Sequence, residues 1–240
     1  MKTLFVSDLH IDLAQPEIGQ QFAEFLAGEA RSAEALYILG DLFESWVGDD
    51  DPNPHYDEAK QRIRELVDSG VPVFFMHGNR DFMIGKRFAR ETGVELLDDP
   101  VVHSVHGEQV LLSHGDAYCT DDVEYQAVRR MTRDPQWQAM MLSRSLDERL
   151  AFAAKARAAS KAKGGKLDEK ISDVNDAAIR RLMQEHEVSV MLHGHTHRPA
   201  IHRFTNNDLP ATRIVLGDWY DQGSVVRWDD SGYVLSELPR

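Results

Sequence analysis

The sequence predicts an α/β protein built as a layered sandwich, and two patterns support this class. In the first half of the chain, strand-like apolar runs alternate with segments of helical periodicity. Later strand candidates are short and bounded by Gly or Pro. A long helical stretch from about residue 121 to residue 166 interrupts this order. We therefore expect an α/β core with one helical insertion.

Local periodicity defines the predicted elements in chain order. A β-branched and aromatic run predicts a first strand over 2–7, and apolar side chains at helical spacing predict a helix over 15–30. The same patterns predict a strand over 35–39 and a helix over 57–69. Further strands are predicted at 71–76, 109–113, 189–192, 213–216 and 224–228.

The stretch 121–166 is predicted to be helical and to break at Pro135, which cannot lie inside a continuous helix. Residues 151–162 are rich in alanine, and Gly164 and Gly165 are expected to end that helix. We expect residues 1–120 and 170–240 to form the core, and residues 121–169 to form a lid over the active site.

The insertion also differs from the rest of the chain in charge. Between residues 129 and 166 the chain has ten Lys or Arg and three Asp or Glu, a net charge of +7. Such a run is often only a solvated helix face. Its place between the fourth and fifth of the polar strand ends described below favours instead a basic insertion beside an anionic ligand.

Overall composition restricts the function. The 240 residues carry a net charge of −13, which argues against nucleic acid as a partner. The single cysteine, Cys119, excludes an intramolecular disulfide and suits a reducing compartment. No apolar stretch reaches the roughly 18–20 residues of a membrane span, and Met1 and Lys2 lead directly into a strand without a signal peptide. We expect a cytoplasmic protein.

Five strand-like runs end in acid, amide or imidazole side chains. They are LFVSDLH at 4–10, LYILGDLFE at 36–44, VFFMHGNRD at 73–81, VLLSHGD at 110–116 and MLHGHTHRP at 191–199. In the last run, His195 and His197 are two residues apart, a spacing that puts both imidazoles on the same side of an extended backbone. Five polar strand ends in this order predict a single site.

The side chains at these ends match the ligand set of a two-metal phosphoesterase centre. Metals that hydrolyse phosphate esters take carboxylate, imidazole and amide oxygen ligands, and two ions about 3.5–4 Å apart can hold both the attacking and the leaving oxygen. The predicted ligands are Asp8, His10, Asp41, Asn79, His114, His195 and His197. Asp41 follows a glycine and is the expected bridging carboxylate. Each residue alone is ordinary, and the prediction depends on their occurring together.

The other histidines are expected to have structural roles. His77 and His193 occupy matching positions, one residue before a glycine, and are expected to orient the ligand loops by hydrogen bonds. The remaining ones lack a strand-end context: His55, His103, His106, His186 and His202.

The motifs D-x-H, GD-x-x-E, GN-x-D and GH-x-H, in this order, resemble the calcineurin-like metallophosphoesterase superfamily. That resemblance implies a four-layer α/β/β/α sandwich with the site at the C-terminal ends of the strands. More narrowly, GDLFESWVGDDDPNP at 40–54, HGNRDF at 77–82, HGDAYCTDD at 114–122 and HGHTHRPA at 193–200 resemble the UDP-2,3-diacylglucosamine diphosphatase family of Gram-negative bacteria. The resemblance covers nearly the whole chain, including the insertion.

This narrower resemblance implies a reaction and its partners. The family uses two Mn²⁺ ions and water to cleave the diphosphate of UDP-2,3-diacylglucosamine at the α-phosphorus, giving UMP and 2,3-diacylglucosamine 1-phosphate in lipid A biosynthesis. The implied location is peripheral, on the cytoplasmic face of the inner membrane, without nucleic acid or an obligate protein partner. The implied substrate contacts are Asn79, Arg80, Asp122, Ser160, Gly164, Lys166 and His195. A family lysine stands where this chain has Leu167, and either Lys163 or Lys166 replaces it.

Arg80 departs from the broad superfamily, many members of which have a histidine there to protonate an alkoxide leaving group. A diphosphate leaves as a phosphate monoester with a second pKa of about 6, so it needs little protonation. A guanidinium can instead hold phosphate through two parallel hydrogen bonds. We therefore assign Arg80 to catalysis together with Asn79 and His195. The alternative is that Arg80 only forms a salt bridge with Asp81.

Several interpretations stay open at this point. Six apolar residues could line the acyl chains or simply pack in the core: Trp46, Met131, Trp137, Met140, Met141 and Phe152. A soluble nucleotide diphosphatase or phosphodiesterase would use the same metal centre with a small polar cleft. A fold that has lost catalysis and serves as an interaction module is disfavoured by the complete ligand set.

Overall fold

The computed structural model describes the backbone of residues 1–164 and 173–240 and the side chains of 1–159 and 173–240. The strands are β1 (Lys2–Val6), β2 (Ala33–Ile38), β3 (Val73–Met76), β4 (Glu95–Leu97), β5 (Val101–Val105), β6 (Glu108–Ser113), β7 (Val190–His193), β8 (Ala200–Asn206), β9 (Leu209–Val215), β10 (Gly223–Asp229) and β11 (Gly232–Leu238). The helices are α1 (Pro16–Ala27), α2 (Pro54–Asp68), α3 (Lys86–Thr92), α4 (Val123–Thr132), α5 (Pro135–Leu142), α6 (Leu146–Gly164) and α7 (Asp176–Glu185).

The strands form two sheets. The first has the order β11-β10-β1-β2-β3-β4, in which β1 to β4 are parallel and β10 and β11 are antiparallel additions. The second has the order β5-β6-β7-β9-β8, in which β6, β7 and β9 are parallel. The predicted polar ends therefore follow β1, β2 and β3 in one sheet and β6 and β7 in the other.

Alternation along the strands divides the core into three apolar clusters. In β1, Leu4 packs toward α1, α2 and α3, whereas its neighbour Phe5 packs between the two sheets. On the second sheet, Leu111 and Met191 pack against Ile179 of α7. Successive side chains of a strand point to opposite faces of its sheet. The three clusters therefore lie between four layers, which are helices, the first sheet, the second sheet and helix α7. The predicted α/β/β/α sandwich is confirmed.

Helices α4, α5 and α6 follow one another between β6 and α7. Pro135 is the first residue of α5, and the side chain of Asp134 caps that helix by accepting from the backbone N–H groups of Gln136 and Trp137. The predicted break at Pro135 is thus confirmed, and α6 contains the alanine-rich stretch. The predicted helix end at Gly165 lies outside the described residues.

Arginines of the insertion pair with carboxylates of the core. Arg149 Nη1 donates to Asp50 at 2.7 Å and to the carbonyl of Val47 at 2.6 Å. Arg129 Nε donates to the buried Asp116 at 2.9 Å. Part of the positive charge of the insertion is therefore neutralised by the chain itself.

The predicted element boundaries need correction at several points. Helix α1 ends at Ala27 because Gly28 adopts a non-helical backbone conformation, and a short 3₁₀ helix (Glu29–Ser32) follows. The elements α3, α7, β4, β5, β8 and β11 were not predicted. The short α3 and β4 and the half-buried β5, β8 and β11 have weak apolar periodicity. Helix α7 was missed although Ile179, Leu182 and Met183 lie at helical spacing on its buried face. Among the described residues, no helix has both the length and the apolar character needed to cross a membrane.

Candidate metal centre

The loops after β1, β2 and β7 hold their polar side chains through an uncommon backbone conformation. Asp8, His10, Asp41, His195 and His197 have φ values between 53° and 68°, a left-handed region that residues other than glycine rarely adopt. Each such residue costs about 1–3 kcal/mol, and such strain concentrates at functional sites. The geometry also corrects one expectation, because the backbone of His195 and His197 is a left-handed turn and not an extended strand.

The first cluster consists of Asp8, His10 and His197. Asp8 is fully buried, and its Oδ2 accepts the backbone N–H of His195 at 2.9 Å. Its Oδ1 lies 3.4 Å from His197 Nε2 and 4.0 Å from His10 Nε2. These two imidazole nitrogens are 3.2 Å apart. One carboxylate oxygen and two nitrogens that converge in this way fit a divalent cation.

The second cluster contains Asn79, His114 and Asp41. His114 Nδ1 lies 2.8 Å from the carbonyl of Leu39, which orients Nε2 toward Asn79 Oδ1 at 3.0 Å. Asp41 Oδ1 accepts the backbone N–H of Arg80 at 2.7 Å. The other oxygen, Oδ2, lies 3.8 Å from a nitrogen of each cluster: His114 Nε2 and His10 Nε2. Asp41 is therefore placed as a bridging carboxylate would be.

His195 lies beside the second cluster, whereas His197 belongs to the first. The His195 ring centroid is 5.1 Å from that of His114. The ring of Tyr125, from α4, stacks on the His195 ring with the two centroids 5.8 Å apart and an interplanar angle of 27°. Tyr125 donates its hydroxyl hydrogen to Asp116 at 2.6 Å. The two histidines of the HGHTH turn thus diverge, and the described geometry brings together all seven predicted ligands.

Two glycines allow the ligand loops to meet. A Cβ at Gly78 would lie 2.8 Å from Asp41 Cγ, and a Cβ at Gly40 would lie 2.6 Å from His114 Nδ1 and from Gly78 Cα. Side chains do not tolerate such contacts, so the glycines of GD and HGN are required by the close approach of the loops.

The buried carboxylates attract positive charge to the cluster. Burial lowers the pKa of His114, but Asp41 and Asp8 outweigh it and raise that pKa to about 9. Burial likewise opposes charge on His197, but hydrogen bonds to Asp218 and Asp8 raise its pKa to about 10. Protons on these imidazoles thus supply positive charge that divalent cations could supply instead. Both the donor atoms and the charge of the site fit a pair of metal ions.

Two further carboxylates support the predicted ligands. Glu44 Oε2 lies 2.7 Å from His10 Nδ1, and Asp218 Oδ2 lies 3.2 Å from His197 Nδ1. Carboxylates that contact the second nitrogen of a metal-binding histidine fix its orientation. Glu44 lies in the GD-x-x-E motif, which could have indicated this role. Asp218 lies after β9 and has no comparable signal.

Asp81 joins two of the ligand loops. Its carboxylate accepts the backbone N–H of Gly78 at 2.8 Å and that of Leu42 at 2.7 Å. Burial, then the charge of Asp41, raises the Asp81 pKa to about 7. Within the described part of the chain Arg80 forms no salt bridge with Asp81, and Arg80 Nε is buried without a hydrogen-bond partner. The structure therefore does not support the alternative that Arg80 only pairs with Asp81.

The expected substrate contacts in the insertion are partly described. Asp122 is the N-cap of α4 and accepts the backbone N–H of Tyr125 at 2.9 Å. Ser160 and Gly164 lie in the C-terminal part of α6, and the side chain of Ser160 is outside the described set. Lys166 lies outside the described residues altogether.

The two histidines expected to orient the ligand loops behave accordingly. His77 Nε2 lies 2.8 Å from the carbonyl of Ile84, and His193 Nδ1 lies 2.9 Å from the carbonyl of Gly194. Neither belongs to a candidate metal cluster found in the described parts of the chain. Both therefore hold loop backbone, as predicted.

The six apolar candidates for an acyl-chain lining divide into two groups. Trp46 and Met141 are buried in the cluster between the first sheet and its helices, which is ordinary core packing. Met131, Met140 and Phe152 are exposed by 41–44%. The half-buried Trp137 packs between these two environments, against Phe82 and Phe152.

Comparison with known proteins agrees with this geometry. The calcineurin-like phosphoesterase family profile matches residues 1–199. The chain belongs to this family. A UDP-2,3-diacylglucosamine hydrolase of Salmonella paratyphi B is 52% identical over 239 residues, and one of Stenotrophomonas maltophilia (strain R551-3) is 49% identical over 247 residues. Both alignments cover 100% of each chain.

One solved structure supports the assignment of the fold. An archaeal phosphodiesterase aligns over 99% of this chain and 100% of its own, with a TM-score of 0.50 at 14% sequence identity. At this identity the likeness shows a shared fold and nothing about substrate.

Proposed function

We propose that this protein hydrolyses UDP-2,3-diacylglucosamine, with water attacking the α-phosphorus, to give UMP and 2,3-diacylglucosamine 1-phosphate in lipid A biosynthesis. The observation that carries the proposal is the pair of Asp and His groups that could each hold a metal ion, in a chain about half identical over its full length to hydrolases of that name. The proposal has three parts: the substrate carries acyl chains, two metal ions activate the water, and the insertion holds the acyl chains.

The proposed cofactor is a pair of Mn²⁺ ions. One is assigned to Asp8, His10 and His197 and the other to Asn79, His114 and His195, with Asp41 between them. The carboxylate and amide oxygens of this set suit manganese, whereas the imidazoles also suit zinc or iron; we choose manganese because the family resemblance implies it. When bound, such a pair activates water at neutral pH and neutralises charge on phosphoryl oxygens.

The residues around the metal sites have defined tasks in this reaction. The backbone N–H of Arg80 is fixed by Asp41, and its buried Nε has no hydrogen-bond partner among the described residues, which leaves this donor available to a phosphate. Asn79 and His195 are positioned to stabilise the charge that develops on the phosphoryl oxygens. The leaving phosphate monoester needs no strong general acid, and we assign none.

The insertion, residues 121–169, is proposed to be a lid that holds the acyl chains. Large exposed apolar side chains are concentrated on its helices: Val123, Val128, Met131, Met140, Leu142, Leu150 and Phe152. Basic residues beside this apolar surface suit an anionic lipid surface. We therefore place the protein peripherally on the cytoplasmic face of the inner membrane, with Asp122, Ser160, Gly164 and Lys166 contacting the substrate.

The decisive experiment is hydrolysis by the purified protein with and without Mn²⁺. UDP-2,3-diacylglucosamine is compared with UDP-glucose and bis-p-nitrophenyl phosphate. Metal-dependent release of UMP from the acylated substrate alone is the expected result. Equal cleavage of all three would retain the metal centre and remove the lipid assignment, in favour of a soluble nucleotide diphosphatase or phosphodiesterase. No cleavage of any of them by metal-loaded protein would indicate an interaction module.

Attachment to membranes is tested separately. The protein is floated with liposomes that contain anionic lipid and with neutral liposomes. We expect binding to the anionic vesicles that weakens as salt is added, and binding no stronger than to neutral vesicles would contradict the peripheral location.

A further inference from the structure

Arg157, on helix α6 of the insertion, contacts the partner of a predicted metal ligand. Its Nε lies 3.1 Å from Glu44 Oε1, and its Nη2 lies 3.3 Å from Asp12 Oδ2. The other oxygen of Glu44 lies 2.7 Å from His10 Nδ1. An unbroken series of polar contacts therefore runs from the insertion to the first metal cluster.

These contacts join the two loops beside His10. Asp12 lies on the same loop as His10, and Glu44 lies on the loop after β2. Backbone hydrogen bonds join the two loops, from Ile11 N–H to the carbonyl of Leu42 at 2.9 Å and from Glu44 N–H to the carbonyl of Ile11 at 3.2 Å. A guanidinium has several donors in a fixed planar arrangement, so Arg157 can hold both carboxylates at once.

We propose that Arg157 is a positioning residue for the metal centre. By holding Glu44 against His10, it fixes the orientation of an imidazole that binds metal. The affinity of the first metal site is thereby coupled to this one contact of the insertion, and not to the docking of helix α6 in general. This inference rests on the proposed metal centre, but not on the identity of the substrate.

Arg149 provides a matched control on the same helix. It also docks α6 on the core, through Asp50 and the carbonyl of Val47, and its side chain is only 3% exposed. No contact links it to a predicted metal ligand in the described residues. Arg157 is 42% exposed, so its replacement should disturb folding less than replacement of Arg149.

The test measures binding of Mn²⁺ by isothermal titration to metal-stripped, full-length protein. Loss of a contact that orients a metal ligand typically weakens metal binding about 10–100-fold. We expect Arg157→Gln to weaken one of the two sites by about tenfold, and Arg157→Lys to weaken it less. Arg149→Gln should lower the melting temperature and leave Mn²⁺ affinity within about twofold of wild type. Added to Glu44→Gln, Arg157→Gln should cause no further loss, because the two residues act in series.

Kinetics separate positioning from substrate binding. With the acylated substrate, the Arg157→Gln variant should have a lower kcat than wild type at limiting Mn²⁺. Its kcat should return to the wild-type value at excess Mn²⁺, and its KM should be unchanged. Unchanged Mn²⁺ affinity with a raised KM would overturn the proposal, because Arg157 would then contact the substrate. An equal loss of Mn²⁺ affinity in Arg149→Gln would overturn it too, since general docking would explain both. If the wild type does not hydrolyse the lipid, the proposed function fails and the titrations still decide this inference.

Discussion

Replacement of Asp81 by Asn should separate the loops that carry Asp41 and Asn79. One oxygen of the buried carboxylate accepts Gly78 N–H at 2.8 Å, and the other accepts Leu42 N–H at 2.7 Å. An asparagine keeps one acceptor oxygen and places an NH₂ donor where the other oxygen was. In either orientation of the amide, that donor faces a backbone N–H.

The size of the effect follows from these bonds. Because its raised pKa leaves Asp81 only partly ionised near pH 7, we use the about 0.5–1.5 kcal/mol of an ordinary hydrogen bond, and a buried N–H without a partner costs about 1–3 kcal/mol more. One lost bond, with its N–H left facing a donor, gives a loss of about 3 kcal/mol. A chain of this size changes its melting temperature by about 2–4 °C per kcal/mol, so Asp81→Asn should lower Tm by about 6–12 °C.

The same substitution at Asp134 provides a control at a position where asparagine can replace aspartate. Its side chain caps α5 by accepting two N–H groups at 2.8 and 3.0 Å, and one amide oxygen can do the same. Asn and Asp are equally good N-caps, so Asp134→Asn should shift Tm by less than about 2 °C. Unfolding is followed in EDTA, which removes any contribution from bound metal. Equal Tm values for Asp81→Asn and Asp134→Asn would refute the reasoning.

Three other outcomes follow from particular contacts. Gly78→Ala should abolish Mn²⁺ binding, because the added Cβ would displace the Asp41 carboxylate. The control Gly19→Ala, whose added Cβ would meet no atom closer than 3.7 Å, should bind Mn²⁺ as the wild type does. Titration with Mn²⁺ distinguishes the two variants. Burial raises the pKa of Cys119 to about 12, so a disulfide reagent at pH 8 should label the thiol only after unfolding in denaturant. The hydrogen bond from Arg227 lowers the pKa of Glu29 in the folded state. That pair stabilises the protein above the unfolded Glu pKa and is lost as pH falls through the lower folded value, so Glu29→Gln should flatten the acid limb of stability against pH.

Local sequence pattern was sufficient to bring the candidate metal ligands to one site because each follows a buried strand. A parallel strand places the residue after it at one edge of the sheet, so Asp8, Asp41 and Asn79 could be assigned to one site from their strands alone. The left-handed backbone of His195 and His197 could not be read in this way, since it depends on how the turn packs against Asp8. Two-residue spacing therefore placed both histidines at the candidate site, but by the wrong backbone geometry.

The supporting residues were harder to find because their signal is not local. Asp218 contacts His197 from beyond β9, and Tyr125 reaches His195 from the insertion. Asp116 lies in the HGD motif, yet its partner Arg129 is on the following helix. Such pairs are set by the packing of distant elements, and a single sequence contains no period or spacing that specifies them.

The contacts of the insertion explain why its charge opposes that of the core. Asp116, two residues after His114, binds Tyr125 and Arg129 of α4, and Glu44, beside His10, binds Arg157 of α6. Each of the two candidate metal-binding clusters thus lies next to a core carboxylate that contacts a side chain of the insertion. Since a buried carboxylate without a partner is costly, basic residues at these positions stabilise the centre before any substrate binds. A change in the insertion that altered these helices would therefore act on the metal centre as well as on the substrate surface.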